Sequence, residues 1–215
     1  MIIKSILPFW IPLPFRLCRD YEKAAVIFDD NTYMEDNYMY LISIYFDKET
    51  EDRLNLILQR VAKVTGNRFM LDNQVPPHIT VASVETKCED ELIARIESIT
   101  KGLKQGEIKF VSAGSFSTKV VFVQPVLNEY LHQLSVVLNK ELEQMDETIL
   151  SPYYQPFSWL PHCTVGKQLS KEEVQKALIK LSAKFVPFNA CVTRIGVAKT
   201  NPHRDIKIWH LDDCD

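Results

Sequence analysis

The sequence predicts an α/β (α+β) fold built from two successive β-α-β-α-β units. Three observations predict it. Apolar runs alternate between the two-residue period of strands and the helical period of about 3.6 residues. The order of these runs starts again near residue 118. Each half carries the same pentad, Pro-His-x-Thr-Val, at residues 77–81 and 161–165. The repeat is too long for a solenoid period, so two lobes are expected, about 37–117 and 118–215, facing each other with the pentads at the seam.

The first element is YMYLISIYF, residues 38–46, a run rich in β-branched and aromatic residues that reads as a strand. A helix follows, with Leu54, Ile57, Leu58, Val61 and Val64 on one face and Gly66 as its stop. HITVASV (78–84) is a strand bounded by Pro76 and Pro77, and a helix runs from Glu89 to Leu103 with Leu92, Ile93, Ile96, Ile99 and Leu103 at helical spacing. EIKFVSAGSF (107–116) closes the first unit as a strand. The second unit opens with the strand KVVFVQPV (119–126) and a helix from Asn128 to Met145, with Leu131, Leu134, Val137, Leu138 and Leu142 inward. The loop SPYYQPFSWLP (151–161) leads to the strand HCTVGK (162–167). Ser170 and Glu173 form a capping box, starting a helix that turns Val174, Ala177, Leu178 and Leu181 to the core. FNACVTRIGVAK (188–199) and IKIWHL (206–211) close the chain as strands around the turn TNPHRD.

On a strand, residues i and i+2 share a face. His78 and Thr80 therefore project together, as do His162 and Thr164, while Ile79, Val81, Cys163 and Val165 point into packing. Two such strands brought together give a cleft two imidazoles and two hydroxyls. Histidine titrates near neutrality, so one ring can accept a proton from an attacking hydroxyl or water while the other protonates the leaving oxygen. Threonine hydroxyls can donate to non-bridging phosphate oxygens and hold the group in line. This set suits phosphodiester cleavage, above all of a 2′,3′-cyclic phosphate, and equally its reversal. A metal would need a third ligand that the pattern does not supply, so neither metal nor cofactor is expected.

With PPHITVAS and LPHCTVGK in matching surroundings, the chain from Met39 onward resembles the two-histidine (2H) phosphoesterases, or 2′-5′ RNA ligase-like superfamily. The resemblance implies a bilobal fold with pseudo-two-fold symmetry, antiparallel sheets lining a central cleft, and metal-independent chemistry on a nucleotide or RNA end. It carries the catalytic pair onto His78 and His162 and the motif hydroxyls onto Thr80 and Thr164. Two other readings stay open: a phosphate or RNA-end reader without turnover, and ligation in the reverse direction.

Composition narrows the partners. The net charge of −3 argues against a long nucleic-acid groove, whose binding rests on many Lys/Arg–phosphate contacts. Five cysteines without a C-x-x-C pair argue against a disulfide framework or a zinc knuckle and favour a reducing cytoplasm. The expected protein is a monomer without an obligate protein partner. Residues 1–36 read as an extension outside the domain at 37–215. Their apolar start is broken by Pro8, Pro12 and Pro14, lacks a small-x-small cleavage site, and is too short for a membrane helix.

Other residues attract weaker functional readings. Tyr154 and Trp159, with Tyr153 and Phe157, fit equally a hydrophobic loop capping a lobe and a base-stacking wall beside the second pentad. Cys163 adjoins His162, but neighbours on a strand face opposite ways, so it is assigned to the core. Arg68 and Lys167 flank the pentads as solvated cations. His132 is a polar-face helix residue. The His203-Arg204-Asp205 triplet resembles a kinase catalytic loop, but the glycine-rich loop and strand lysine are missing, so it is set aside.

Overall fold

The computed structural model describes residues 38–200 and 203–213. The expected extension at 1–36 lies outside the described residues. Eight strands form one antiparallel sheet: β1 (Tyr38–Phe46), β2 (Ile79–Thr86), β3 (Gly106–Phe116), β4 (Val120–Pro125), β5 (Ile149–Leu150), β6 (Cys163–Gly166), β7 (Phe188–Lys199) and β8 (Arg204–His210). The helices are α1 (Lys48–Thr65), α2 (Phe69–Asp72), α3 (Glu89–Thr100), α4 (Glu129–Leu142) and α5 (Lys171–Lys184). The fold is therefore α+β, and no helix of the described residues is long and apolar enough to cross a membrane.

Local chemistry sets the helix ends. The Asp47 carboxylate accepts the Thr50 N–H at 3.1 Å to start α1, and Gly66 ends it at φ 81°, a left-handed conformation that glycine adopts without steric cost. The Asn128 side chain caps α4, and both hydrogen bonds of the Ser170/Glu173 box are present at α5. One expected core position differs. Val137 is 41% exposed, whereas Ser135 and Asn139 are buried. The inward stripe of α4 is 131, 134, 135, 138, 139 and 142, spaced three and four apart, and Val137 falls outside it.

Strand order is β5-β2-β1-β7-β3-β4-β6, with β8 also on β7. The third strand of each sequence unit has crossed over. β3, from the first unit, pairs with β4, and β7, from the second, pairs with β1. Strand pairing thus does not respect the sequence midpoint. It yields two matching triplets, β2-β1-β7 and β6-β4-β3, joined where Gly106–Phe110 of β3 runs against β7. The Phe110 ring packs on Phe46 (5.9 Å between centroids) and Phe188 (5.0 Å), closing the core at this junction. The registers equate Thr80–Ser43–Gly196 in one triplet with Thr164–Phe122–Gly114 in the other.

β2 and β6 lie near opposite ends of this order, yet Cα atoms of the two strands approach within 8 Å. The sheet curls until the two pentads meet. Such closure follows from the right-handed twist of strands, accentuated at β-bulges; register shifts occur in β1 between Ile42 and Ser43 and in β4 between Val121 and Phe122.

Candidate active site

Each pentad histidine stands immediately before its strand, and both are anchored in the same way. His78 Nδ1 lies 2.7 Å from the Pro76 carbonyl oxygen, and His162 Nδ1 lies 2.8 Å from that of Leu160. A carbonyl can only accept, so Nδ1 donates in both rings. Nε2 is then bare in each neutral imidazole, ready to take a proton, or to give one when the ring is charged. Both rings are half-buried. Burial pushes His78 down to about 4, and the charges of His203 and His162 lower it further against the Pro76 carbonyl and Asp205. His162 is lowered by burial, opposed by the Leu160 carbonyl. The two rings directly precede β2 and β6, the strands whose Cα atoms approach within 8 Å.

Thr80 is buried, with its Oγ1 3.3 Å from Ser43 Oγ and hydrogen-bonded to the Tyr154 phenol. Thr164 is half-buried and pairs with Phe122 across the strands. The 151–161 loop reaches Thr80 because β5 pairs with the edge of β2 and the Ser151 N–H donates to the Ser83 carbonyl at 2.9 Å. Buried Asn139 then donates to the Tyr154 carbonyl at 3.1 Å. Tyr154 thus joins the site through its hydroxyl, and burial raises its pKa despite the Thr80 hydrogen bond.

Trp159 does not stand in an open stacking wall. It is 4% exposed and belongs to the core, because the loop folds back over the apolar face of the sheet. The exposed aromatics of that loop are Tyr153 (48%) and Phe157 (85%). The Phe157 ring lies against His132 with centroids 4.2 Å apart and planes tilted by 54°, and the φ of Phe157 is +66°. Cys163 is fully buried, and its thiol is pushed up to about 12 by burial, although the His78 backbone N–H opposes the shift. A thiol so protonated is a poor nucleophile. Arg68 pairs with Asp72 on the surface at 3.1 Å, and Lys167 is half-buried.

The two imidazoles differ in what surrounds them. The His162 ring meets Phe116 edge-on at 4.8 Å and Phe122 at 5.4 Å. The His78 ring stacks on His203, with centroids 5.1 Å apart and planes 22° from parallel, and lies 6.2 Å from the Tyr45 ring. His203 Nε2 is 3.2 Å from Asp205 Oδ1, the oxygen that accepts the Tyr45 hydroxyl at 2.6 Å. Burial would raise the Asp205 carboxyl, but hydrogen bonds from His203 and Tyr45 outweigh it and leave the pKa below its ordinary value. Sequence reasoning set His203 and Asp205 aside and missed Tyr45 and Ser43. For Ser43 and Tyr45 a signal existed: polar groups two apart in an apolar strand share the face on which Thr80 lies. His203 had none, since its place depends on β7 crossing to β1.

A curled antiparallel sheet carrying two identically anchored histidines is the arrangement of a two-histidine phosphoesterase. The model of the 2′-5′ RNA ligase superfamily matches residues 51–204, a span containing both pentads. The chain belongs to that superfamily. Solved structures agree in fold. E. coli LigT complexed with 3′-AMP is 17% identical, with TM-score 0.55 over 81% of this chain and 98% of LigT. A crystal structure described as a phosphoesterase is 20% identical, with TM-score 0.54 over 81% of this chain and 98% of its own. No curated protein matches the chain.

Proposed function

We propose that this protein is a metal-independent phosphodiesterase that cleaves 2′,3′-cyclic or 2′-5′ phosphodiester bonds of nucleotides or RNA ends, with His78 and His162 as the acid–base pair. The supporting observation is the paired anchoring: both rings present a free Nε2 because both Nδ1 atoms are tied to the carbonyl two residues earlier. For a cyclic phosphate the step balances simply. One imidazole takes a proton from water as the water oxygen bonds to phosphorus. The bond from phosphorus to one ribose oxygen breaks, and that oxygen takes a proton from the other imidazole. The rings finish with exchanged protonation states and reset through solvent. Thr164, and Thr80 through its hydroxyl chain with Ser43 and Tyr154, orient the phosphate. Phe116, half-buried beside His162, offers a face on which a base can stack.

Nucleoside 2′,3′-cyclic monophosphates and 2′-5′ and 3′-5′ dinucleotides, each with and without EDTA, test this reading. Turnover of a cyclic or 2′-5′ substrate that survives chelation is expected. Binding without product at every pH would instead indicate a phosphate reader, and activity lost to EDTA and restored by zinc would indicate a metal enzyme. Joining of 2′,3′-cyclic phosphate and 5′-hydroxyl ends in excess of hydrolysis would make ligation the working direction.

A further inference from the structure

The neighbourhood of His78 contains a third imidazole for which the two-histidine chemistry has no use. His203 is only 13% exposed at its side chain, stacks on His78, and is tied through Nε2 to Asp205, which is itself held by the buried Tyr45 hydroxyl. Among the described residues nothing comparable faces His162, whose ring neighbours are Phe116 and Phe122. The pentads are repeated, but the surroundings are not, and this breaks the equivalence of the two histidines.

We propose that His203 is a positioning residue of the site: anchored on Asp205, it holds the His78 ring from one side and biases the proton between the pentad histidines, so that His78 begins the reaction neutral as general base and His162 is the general acid. This rests on the two-histidine reading above. The physical reason is the stacked ring itself: held 5.1 Å away, it keeps water from one face of the His78 imidazole and disfavours a positive charge there. Among the described residues, the charged and titratable groups around His78 are His203 and Asp205 from the β7–β8 turn and β8, Tyr45 from β1, and His162 beside β6. Cys163 meets the His78 backbone N–H, and Arg194 acts one layer out, 5.8 Å from the centre of the Tyr45 ring. Of these, His203 and His162 disfavour a proton on His78, and Asp205 favours one.

The experiment uses the full chain and three variants: His203→Ala, His203→Phe, which keeps a flat ring against His78, and His203→Gln, which keeps an N–H near Asp205. Profiles of kcat/KM against pH on a nucleoside 2′,3′-cyclic monophosphate are read beside NMR titration of the His78 imidazole, a signal that exists whether or not turnover does. Removing the repelling ring raises the His78 titration, so the acid limb moves to higher pH by about half a unit or more in all three variants. His203→Phe retains more kcat than His203→Ala because ring support survives. Any variant that melts as wild type but leaves both the His78 titration and the acid limb unmoved overturns the proposal. His78→Ala and His162→Ala separate the two failures. If both abolish turnover while the His203 variants titrate as wild type, only the role of His203 falls; if either remains active, the two-histidine reading falls with it.

Discussion

Gly114 and the Phe122 ring pack so closely that a Cβ at Gly114 would lie 2.7 Å from Phe122 Cζ. At the equivalent glycine of the other triplet, Gly196, a Cβ would lie 3.1 Å from the Tyr45 ring and 2.9 Å from the Lys207 carbonyl oxygen. Each pentad histidine is thus backed by an aromatic ring lying over a glycine, Phe122 behind His162 and Tyr45 beside His78.

The Gly114 contact makes an overpacking experiment specific. Gly114→Ala must displace Phe122, and Phe122 is wedged between Phe116 (4.4 Å) and His162. The displacement is expected to cost about 1–3 kcal/mol and to lower kcat more than it raises KM, because it moves a proton carrier. Gly196→Ala meets the fixed Lys207 backbone carbonyl as well as the Ile208 and Tyr45 side chains and should reduce stability more. Thermal melts and steady-state kinetics on both variants check this; a Gly114→Ala protein with unchanged Tm and kcat would show that His162 does not rest on Phe122.

The histidines themselves should respond alike in rate despite their unlike surroundings. His78→Ala and His162→Ala are each expected to lower kcat by about 10²–10⁴-fold, with the protein remaining folded by circular dichroism. Near-wild-type turnover in either variant would dispose of the paired mechanism.

Acid should destabilise the fold through His78. Its folded pKa of about 4 lies below the usual value near 6.5. Between those values the unfolded chain binds a proton that the folded chain does not, so this contribution is intact above about pH 6.5, is lost progressively as pH falls, and changes no further below about pH 4. It amounts to at most about 3 kcal/mol, less because the ring is only half-buried. Urea midpoints at pH 7 and pH 4.5 should therefore fall further apart in wild type than in His78→Gln. His162 acts in the same direction in both proteins, and Asp205, held below its ordinary 3.8, titrates beneath this window.

Where function depends on short-range pattern, the sequence is legible. The alternation in FNACVTRIGVAK marks β7 from Phe188 to Lys199, as observed, and Ser170 with Glu173 marks the start of α5. The pentads locate both imidazoles because i and i+2 share a face whatever the partner strand is. What required long-range pairing was not legible. The crossing of β3 and β7 is decided by tertiary packing between segments far apart in the chain, and it alone brings His203 to His78. Trp159 follows the same logic: the aromatics of its loop fit a hydrophobic cap and a stacking wall alike, and it is the pairing of β5 with β2 that fastens the loop and turns the indole inward.

That inward turn yields a last prediction, since a stacking residue and a core residue respond differently to substitution. Trp159 is 4% exposed and its buried indole N–H meets no hydrogen-bond acceptor among the described residues. Trp159→Ala should cost about 3–5 kcal/mol, the range for emptying an aromatic site in a core. Trp159→Phe should cost much less: it leaves a smaller cavity and removes an unsatisfied donor, itself a burden of about 1–3 kcal/mol. Phe157→Ala, at a side chain 85% exposed, should change stability by no more than about 0.5 kcal/mol. Urea titrations of the three variants give the ordering directly. If Trp159→Ala kept its stability while KM for nucleotides rose, the indole would have to reach solvent and bind a base, and its place in the core would be wrong.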